Sequence, residues 1–197
     1  MGPKGQSTKE RVLAQAIRQA SKEGLEGLTI GSLSSQLQMS KSGLFAHFGS
    51  KEQLQLAVLE EVFRRFVEEV LKPAFTAPRG EARIRAMFDR HLAWNSSRAF
   101  PGGCVLMGAA HELDARDGST RDFLLEQQRR LLETMVRAAR IAVEAGDFRE
   151  DLDVEGFAFE GFSLLLGHHY YARFLRDPEA ERRVRAGFER LVRAARA

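Results

Sequence analysis

The chain has 197 residues, 44% of them hydrophobic and 29% charged, with a net charge of +3 and one cysteine, Cys104. That length suits one domain or two modest ones, and the balance of apolar and charged residues excludes an intrinsically disordered chain. No apolar run approaches the roughly 20 residues of a membrane-spanning helix, a single cysteine excludes an internal disulfide framework, and the polar start Met1–Gln6, with no apolar stretch behind it, points to the cytoplasm.

Strand signals are nearly absent, and helical periodicity runs almost end to end. The first helix is expected from Ser7, where Glu10 three residues on completes a capping box. Val12, Leu13, Ala16, Ile17 and Ala20 form its inner stripe, and Gly24 ends it. The stretch Thr29–Lys51 (TIGSLSSQLQMSKSGLFAHFGSK) then holds two short helical patterns separated by a break. Ile30, Leu33 and Leu37 repeat at spacings of three and four behind Thr29 as N-cap. Gln38 and Met39 fill the break. Ser40 caps a second short helix with Leu44 and Phe48 inward and Lys41, Ser42, Gly43, Phe45 and His47 outward. Two short helices joined by a three-residue turn form a helix-turn-helix, whose second helix fits the DNA major groove. The first three helices are expected to share a core of Leu13, Ile17, Leu33, Leu37, Leu44 and Phe48.

Charge is uneven along the chain. Residues 1–51 hold seven Lys/Arg (Lys4, Lys9, Arg11, Arg18, Lys22, Lys41, Lys51) and three acids (Glu10, Glu23, Glu26), so the positive excess lies in the segment with the helix-turn-helix. A duplex-binding head has that electrostatic footprint, although surface charge also varies by chance.

The region from Arg11 to about Phe63 resembles the DNA-binding domain of the tetracycline-repressor (TetR) family of bacterial regulators. The resemblance is carried by the first helix ending at Gly24, by Leu28-Thr29-Ile30, Leu33, Leu37, Met39-Ser40, Leu44-Phe45 and Phe48, and by Ser50-Lys51-Glu52-Gln53-Leu54. It implies that Thr29, Ser40, Lys41, Ser42, Gly43, Phe45, His47 and Lys51 form the DNA-binding set, with Thr29 and Lys51 on phosphates and Ser42, Gly43, Phe45 and His47 facing the groove. Family members commonly carry Ala and Gly where this chain has Ser34 and Gln38. A left-handed Gln38 would cost on the order of 1 kcal/mol. They commonly carry Tyr where it has Phe45, so one phosphate hydrogen bond is missing.

Beyond the head, a helix is expected from Ser50, capped with Gln53, to about Lys72 before Pro73. At 1.5 Å per residue it is roughly 33 Å long and reads as a connector. Further helices are expected over residues 81–96, 104–115, 119–145, 153–176 and 177–196, the last starting at Asp177-Pro178 as N-cap and first-turn proline. The fold class is therefore all-α with about nine helices. Residues 1–50 form the helix-turn-helix head, and residues 51–197 form a helical ligand-binding and dimerisation domain whose connector is residues 50–72.

The helix over residues 153–176 is apolar on more than one side, as a helix buried on several faces would be. Periodicity alone leaves a monomer core and a two-fold interface equally open. A reader of symmetric sites needs two heads, which favours a homodimer through Phe157, Leu164, Tyr171, Val184, Phe188 and Leu191. The resemblance also implies a ligand pocket. Its candidates are Met87, His91, Trp94, Phe100, Cys104, Met107, His111, Phe123, Met135, Phe159 and Phe162, against the plainer reading of an ordinary core with a hydrogen-bonded histidine. Cys104 is a buried inert thiol in the plain reading and a redox sensor in the sharper one.

Catalysis finds little support. His111-Glu112 opens like a zinc-protease motif, but Ala115 replaces the second histidine. His168 and His169 are adjacent and point to different helix faces. No metal and no cofactor are expected. The expected function is a transcriptional regulator that is not an enzyme, a homodimeric repressor released from a palindromic double-stranded DNA operator by a small hydrophobic or aromatic effector, with no membrane partner. The alternative is a helical ligand-binding or scaffold protein without specific DNA readout.

Overall fold

The computed structural model describes residues 3–197, with side chains from Thr8 onward. It is all-helical: α1 Pro3–Glu23, α2 Ile30–Leu37, α3 Lys41–Phe48, α4 Lys51–Phe66, α5 Lys72–Phe75, α6 Glu81–Asn95, α7 Val105–Leu113, α8 Ser119–Glu144, α9 Val154–His169 and α10 Ala180–Ala195. Wide π-turns over Val67–Leu71 and Tyr170–Phe174 join α4 to α5 and extend α9. Counted as continuous rods, the described residues form nine helices, the number expected. Among the described residues the only extended pairing is an isolated bridge between Phe148 and Arg196, and no helix is long and apolar enough to cross a membrane.

Three helix ends differ from expectation. The first helix starts at Pro3 rather than Ser7; the expected Ser7 cap and Lys4 lie outside the described side chains. The connector helix does not stop before Pro73. Lys72 N–H reaches back five residues to Val67 O, and the helix resumes with Pro73 near its start. The wider turn shifts the carbonyls that the proline ring would otherwise press against, and proline tolerates a helix start because it needs no N–H there. The last helix begins at Ala180, not Asp177, because Asp177 Oδ1 accepts from Glu179 N at 2.9 Å and closes a separate turn.

The chain folds as two compact units. One contains residues up to Arg65 and Ser97–Glu126; the other contains Phe66–Ser96 and Gln127–Ala197. The expected cut at residue 50 thus falls inside the first unit. The physical reason is burial: Leu54, Val58, Leu59 and Val62 of α4, and Phe100, Val105 and Leu106 from the later segment, are buried like the helix-turn-helix residues Leu33 and Leu44. Leu13 and Leu37, expected in the same core, are half-buried.

Within the first unit, the loop before α7 lies directly on α1. Gly102 N–H donates to Ser21 Oγ at 2.9 Å, and that hydroxyl donates to Gly103 O at 2.8 Å. Glu112 on α7 accepts from the N–H groups of Leu25 and Glu26 at 3.0 and 2.8 Å, satisfying backbone donors just past the end of α1. The residue that only superficially suggested a metalloprotease is therefore a clasp.

The second unit packs α6, the later part of α8, α9 and α10 around Phe88, Phe148, Phe157, Leu165, Phe188 and Val192. Phe88 and Phe188 stack with centroids 3.7 Å apart and planes 3° from parallel. Arg196 holds Glu81 through two bonds of 2.8 and 2.7 Å, and Arg85 adds one of 2.7 Å. Hydrogen bonds from Arg196, then Arg85, outweigh burial and hold the Glu81 carboxyl at about 2. A depressed carboxyl contributes stability above its unfolded value, near 4.5, and loses it as pH falls through the folded value. Glu81→Gln should therefore cost roughly 1 kcal/mol at pH 7 after solvent screening. It should also flatten the fall in stability between pH 4.5 and 2, measured by urea unfolding across that range. An unchanged acid profile would show that the pair contributes nothing.

Candidate nucleic-acid interface and apolar cavity

The helix-turn-helix is set by its caps. Thr29, in extended backbone, accepts from Ser32 N at 3.1 Å and starts α2. Gln38 ends it in the left-handed region at φ 53°, and Met39 N–H returns to Ser34 O at 3.0 Å. Ser34, standing where alanine is common, is buried and donates to Gly31 O at 2.9 Å. Ser40 Oγ accepts from Gly43 N at 3.0 Å and starts α3. Ser50 accepts from Gln53 N at 3.0 Å and starts α4.

Leu44 and Phe48 bury the inner side of α3, which leaves Lys41, Ser42 and Phe45 exposed. Phe45 is 54% exposed, an unusual state for a phenyl ring. With Ile30, Gly31 and Ala46, these residues line an open groove. His47 is half-buried, its ring tilted against Phe48. Gly43 is close to its own cap: a Cβ there would lie 3.0 Å from Ser40 Oγ.

Lys51 is engaged rather than free. Its Nζ donates to Glu26 O at 2.8 Å and lies 3.2 Å from Glu26 Oε2. Arg116 pairs with the other carboxylate oxygen at 2.7 Å, and Gln55 donates to Leu25 O at 2.8 Å. Burial raises the Glu26 carboxyl, but bonds from Lys51, Arg116 and Gln55 outweigh it and hold the group below the usual carboxylate range. Neither Glu26 nor Arg116 was singled out from the sequence; their spacing carries no local signal.

The second unit encloses a narrow cavity. Its wall includes Phe66, Val70 and Leu71 from the end of α4 and the π-turn, Met87 and His91 from α6, Met135 from α8, and Phe157, Gly161 and Phe188 from α9 and α10. Its open volume is about 30 Å³, little more than one water occupies. Burial holds the His91 ring at about 4, so it is neutral near pH 7. Phe66 meets His91 edge-on at 5.0 Å and Trp94 edge-on at 5.6 Å.

Of the residues expected to form a pocket, Met87, His91 and Met135 line this cavity. Phe162 reaches the His91 ring at 6.2 Å, and Trp94 stands behind Phe66. The others do not join them. Phe100, Cys104 and Met107 are buried in the first unit, where His111 is exposed and Phe123 half-buried. Phe159 is 71% exposed on α9. Phe66 and Val70 were missed because they sit in a segment read as a connector; their spacing of four, on a face shared with the following proline, was the available signal.

The dimer candidates also divide. Phe157, Val184 and Phe188 are buried in the unit's own core. Leu164 and Leu191 are half-buried, and Tyr171 is 48% exposed. These three line an open groove between α9 and α10 together with Phe159 and Gly167, and Phe157 and Val184 also contribute to its wall. The helix expected to be buried on several faces thus leaves Phe159, Leu166, Tyr170, Tyr171 and Phe174 exposed, an apolar surface of the sort that marks interaction sites.

Residues 12–58 match a family described as bacterial regulatory proteins, tetR family, and residues 80–188 match one described as tetracyclin repressor-like, C-terminal domain. A search of curated proteins finds no match. Among solved structures, a TetR transcriptional regulator from Chloroflexus aurantiacus J-10-FL is 24% identical, covers 98% of this chain and 96% of its own, and has a TM-score of 0.86. A TetR-family transcriptional regulator from Cytophaga hutchinsonii is 19% identical, with coverage of 100% and 98% and a TM-score of 0.84. AibR, in complex with isovaleryl coenzyme A and operator DNA, is 21% identical, with coverage of 94% and 98% and a TM-score of 0.76.

Proposed function

Because the chain belongs to the tetR family of bacterial regulatory proteins, we propose that it is a homodimeric repressor that a small apolar effector releases from a palindromic operator. The observation that carries the reading is the outer side of α3, where Ser40 starts the helix and Lys41, Ser42 and an exposed Phe45 stand clear of the core. Those side chains, with His47 at the end of the helix, would meet base edges, and Thr29 and Lys51 would meet phosphates.

The effector reading rests on the second unit's cavity. AibR is described with isovaleryl coenzyme A; here the cavity wall has no Lys or Arg to hold phosphates, which supports a smaller, apolar molecule. Release would follow from population shift. An effector that binds the non-operator state better weakens operator binding by its differential affinity, and operator weakens effector binding by the same factor. The α9–α10 groove, with Leu164, Tyr171 and Leu191 on its wall, supports the second copy.

Titration of labelled duplexes across a salt series tests the head. Binding should fall steeply with salt. Lys51→Ala should weaken operator and random duplex alike, by a few-fold, and lower the salt slope by about 1. Glu26→Gln should act in the opposite direction, because it loosens the hold on Lys51. His47→Ala should alter base preference more than non-specific affinity. An unchanged salt slope in Lys51→Ala would remove Lys51 from the phosphate contacts.

A further inference from the structure

The wall of the second unit's cavity carries a single polar side chain, and that side chain has no polar partner. His91 is 6% exposed and borders the cavity from α6. Its neighbours are rings, Phe66 at 5.0 Å and Phe162 at 6.2 Å, and burial alone accounts for its lowered ionisation. No described residue hydrogen-bonds to the imidazole. A neutral imidazole offers one N–H donor and one lone pair. A polar group inside a protein is normally satisfied by a hydrogen bond. An ordinary core position would favour leucine or methionine, as at the neighbouring Met87 and Met135.

We propose, building on the reading of this cavity as the effector site, that the effector is a small uncharged molecule with an alicyclic or aromatic body and one hydroxyl or carbonyl head, hydrogen-bonded by His91. The remaining wall is aliphatic, aromatic or thioether, with Phe66, Phe88, Leu131 and Phe157 among its residues. That wall excludes a carboxylate, whose charge would be buried against hydrocarbon with only a neutral ring to meet it, and an ammonium, which finds no acid there. The molecule is small because the cavity's open volume is only about 30 Å³. Room comes from Met87 and Met135, unbranched side chains that repack easily. It also comes beside Gly161, where a Cβ would meet only Met135 Cε and Leu191 Cδ2 at 3.8 Å. Phe66 touches both His91 and Trp94, so an occupant that moves Phe66 alters the surroundings of the only tryptophan.

Cyclohexanol, cyclohexane and cyclohexanecarboxylate share one body and differ in the head. They are to be titrated into the full-length protein, following Trp94 emission and the nitrogen chemical shifts of the His91 imidazole. Cyclohexanol should bind and shift those nitrogens, and cyclohexanecarboxylate should bind at least tenfold more weakly. In His91→Leu, which retains bulk and apolar packing, the alcohol-to-hydrocarbon affinity ratio should fall at least tenfold, and His91→Gln should restore part of it. Ala138→Leu, which fills the cavity from α8, should abolish binding of all three. The imidazole shift is read on the wild-type chain, so it stands even if a variant fails to fold. If the alcohol-to-hydrocarbon ratio is the same with and without His91 while Ala138→Leu blocks both, the head-group assignment is overturned and the cavity survives. If the carboxylate binds best, an uncharged effector is overturned. If no probe binds, or Ala138→Leu leaves binding intact, the cavity reading itself fails and takes this inference with it.

Discussion

An alanine at position 102 is expected to destabilise the first unit by about 3–5 kcal/mol, the range of a severe core substitution, and to abolish duplex binding. A Cβ on Gly102 would lie 1.8 Å from Ser21 O and 2.7 Å from Lys22 Cα. Those are backbone atoms of α1, and no rotamer change relieves the clash. The loop would have to withdraw by more than an ångström. That movement breaks the bonds between Ser21 and residues 102 and 103 and draws Phe100 and Cys104, both buried, away from their places. Gly108→Ala is the control: a Cβ there meets nothing within 4 Å, and alanine in a helix should gain about 0.5–1 kcal/mol over glycine. Thermal unfolding followed by circular dichroism, with duplex titration alongside, separates the two. A Gly102→Ala protein that melts with the wild type and still binds duplex would refute the close approach.

The second large effect is expected at Phe188. Truncation to alanine removes a buried ring, worth about 3–5 kcal/mol with its stack on Phe88 included. Urea unfolding should show the second unit losing most of its margin. The contrast is with the double variant Phe159→Glu, Tyr171→Glu. Both rings are exposed and line the α9–α10 groove, so the chain should stay folded and sediment as a monomer. A folded double variant that remains dimeric would place the interface elsewhere. Equal stability of Phe188→Ala and wild type would mean that the stack contributes nothing.

Much of this was legible in the sequence because it is local. The caps at Thr29, Ser40 and Ser50 act within three residues of themselves, and each was found where its hydroxyl can reach an amide. The apolar stripe of α3 likewise follows from spacing, and it predicts which side stays outside. What the sequence hid depends on distant pairs. Nothing near Glu112 says that its carboxylate closes the end of a helix 87 residues earlier, and nothing near Lys51 says that Glu26 holds it. Periodicity marks an apolar side chain without saying whether it faces its own core, a cavity or solvent. Phe157, Phe188 and Phe159 share one pattern and have different fates. Gln38 took the left-handed conformation that its position demanded, at an expense its neighbours absorb.

The π-turn at Val67–Leu71 also bears on how this gene tolerates changes in length. A π-turn accommodates one residue more than a regular helical turn. Deleting one codon within this stretch should let the helix close to ordinary geometry while the residues on both sides keep their faces. A deletion elsewhere in α4 would rotate every following side chain by about 100°. The closed turn would, however, bring back the clash with the Pro73 ring. The extra residue and the proline are thus genetically coupled: a shortened chain should be viable when Pro73 is also replaced and impaired when it is retained.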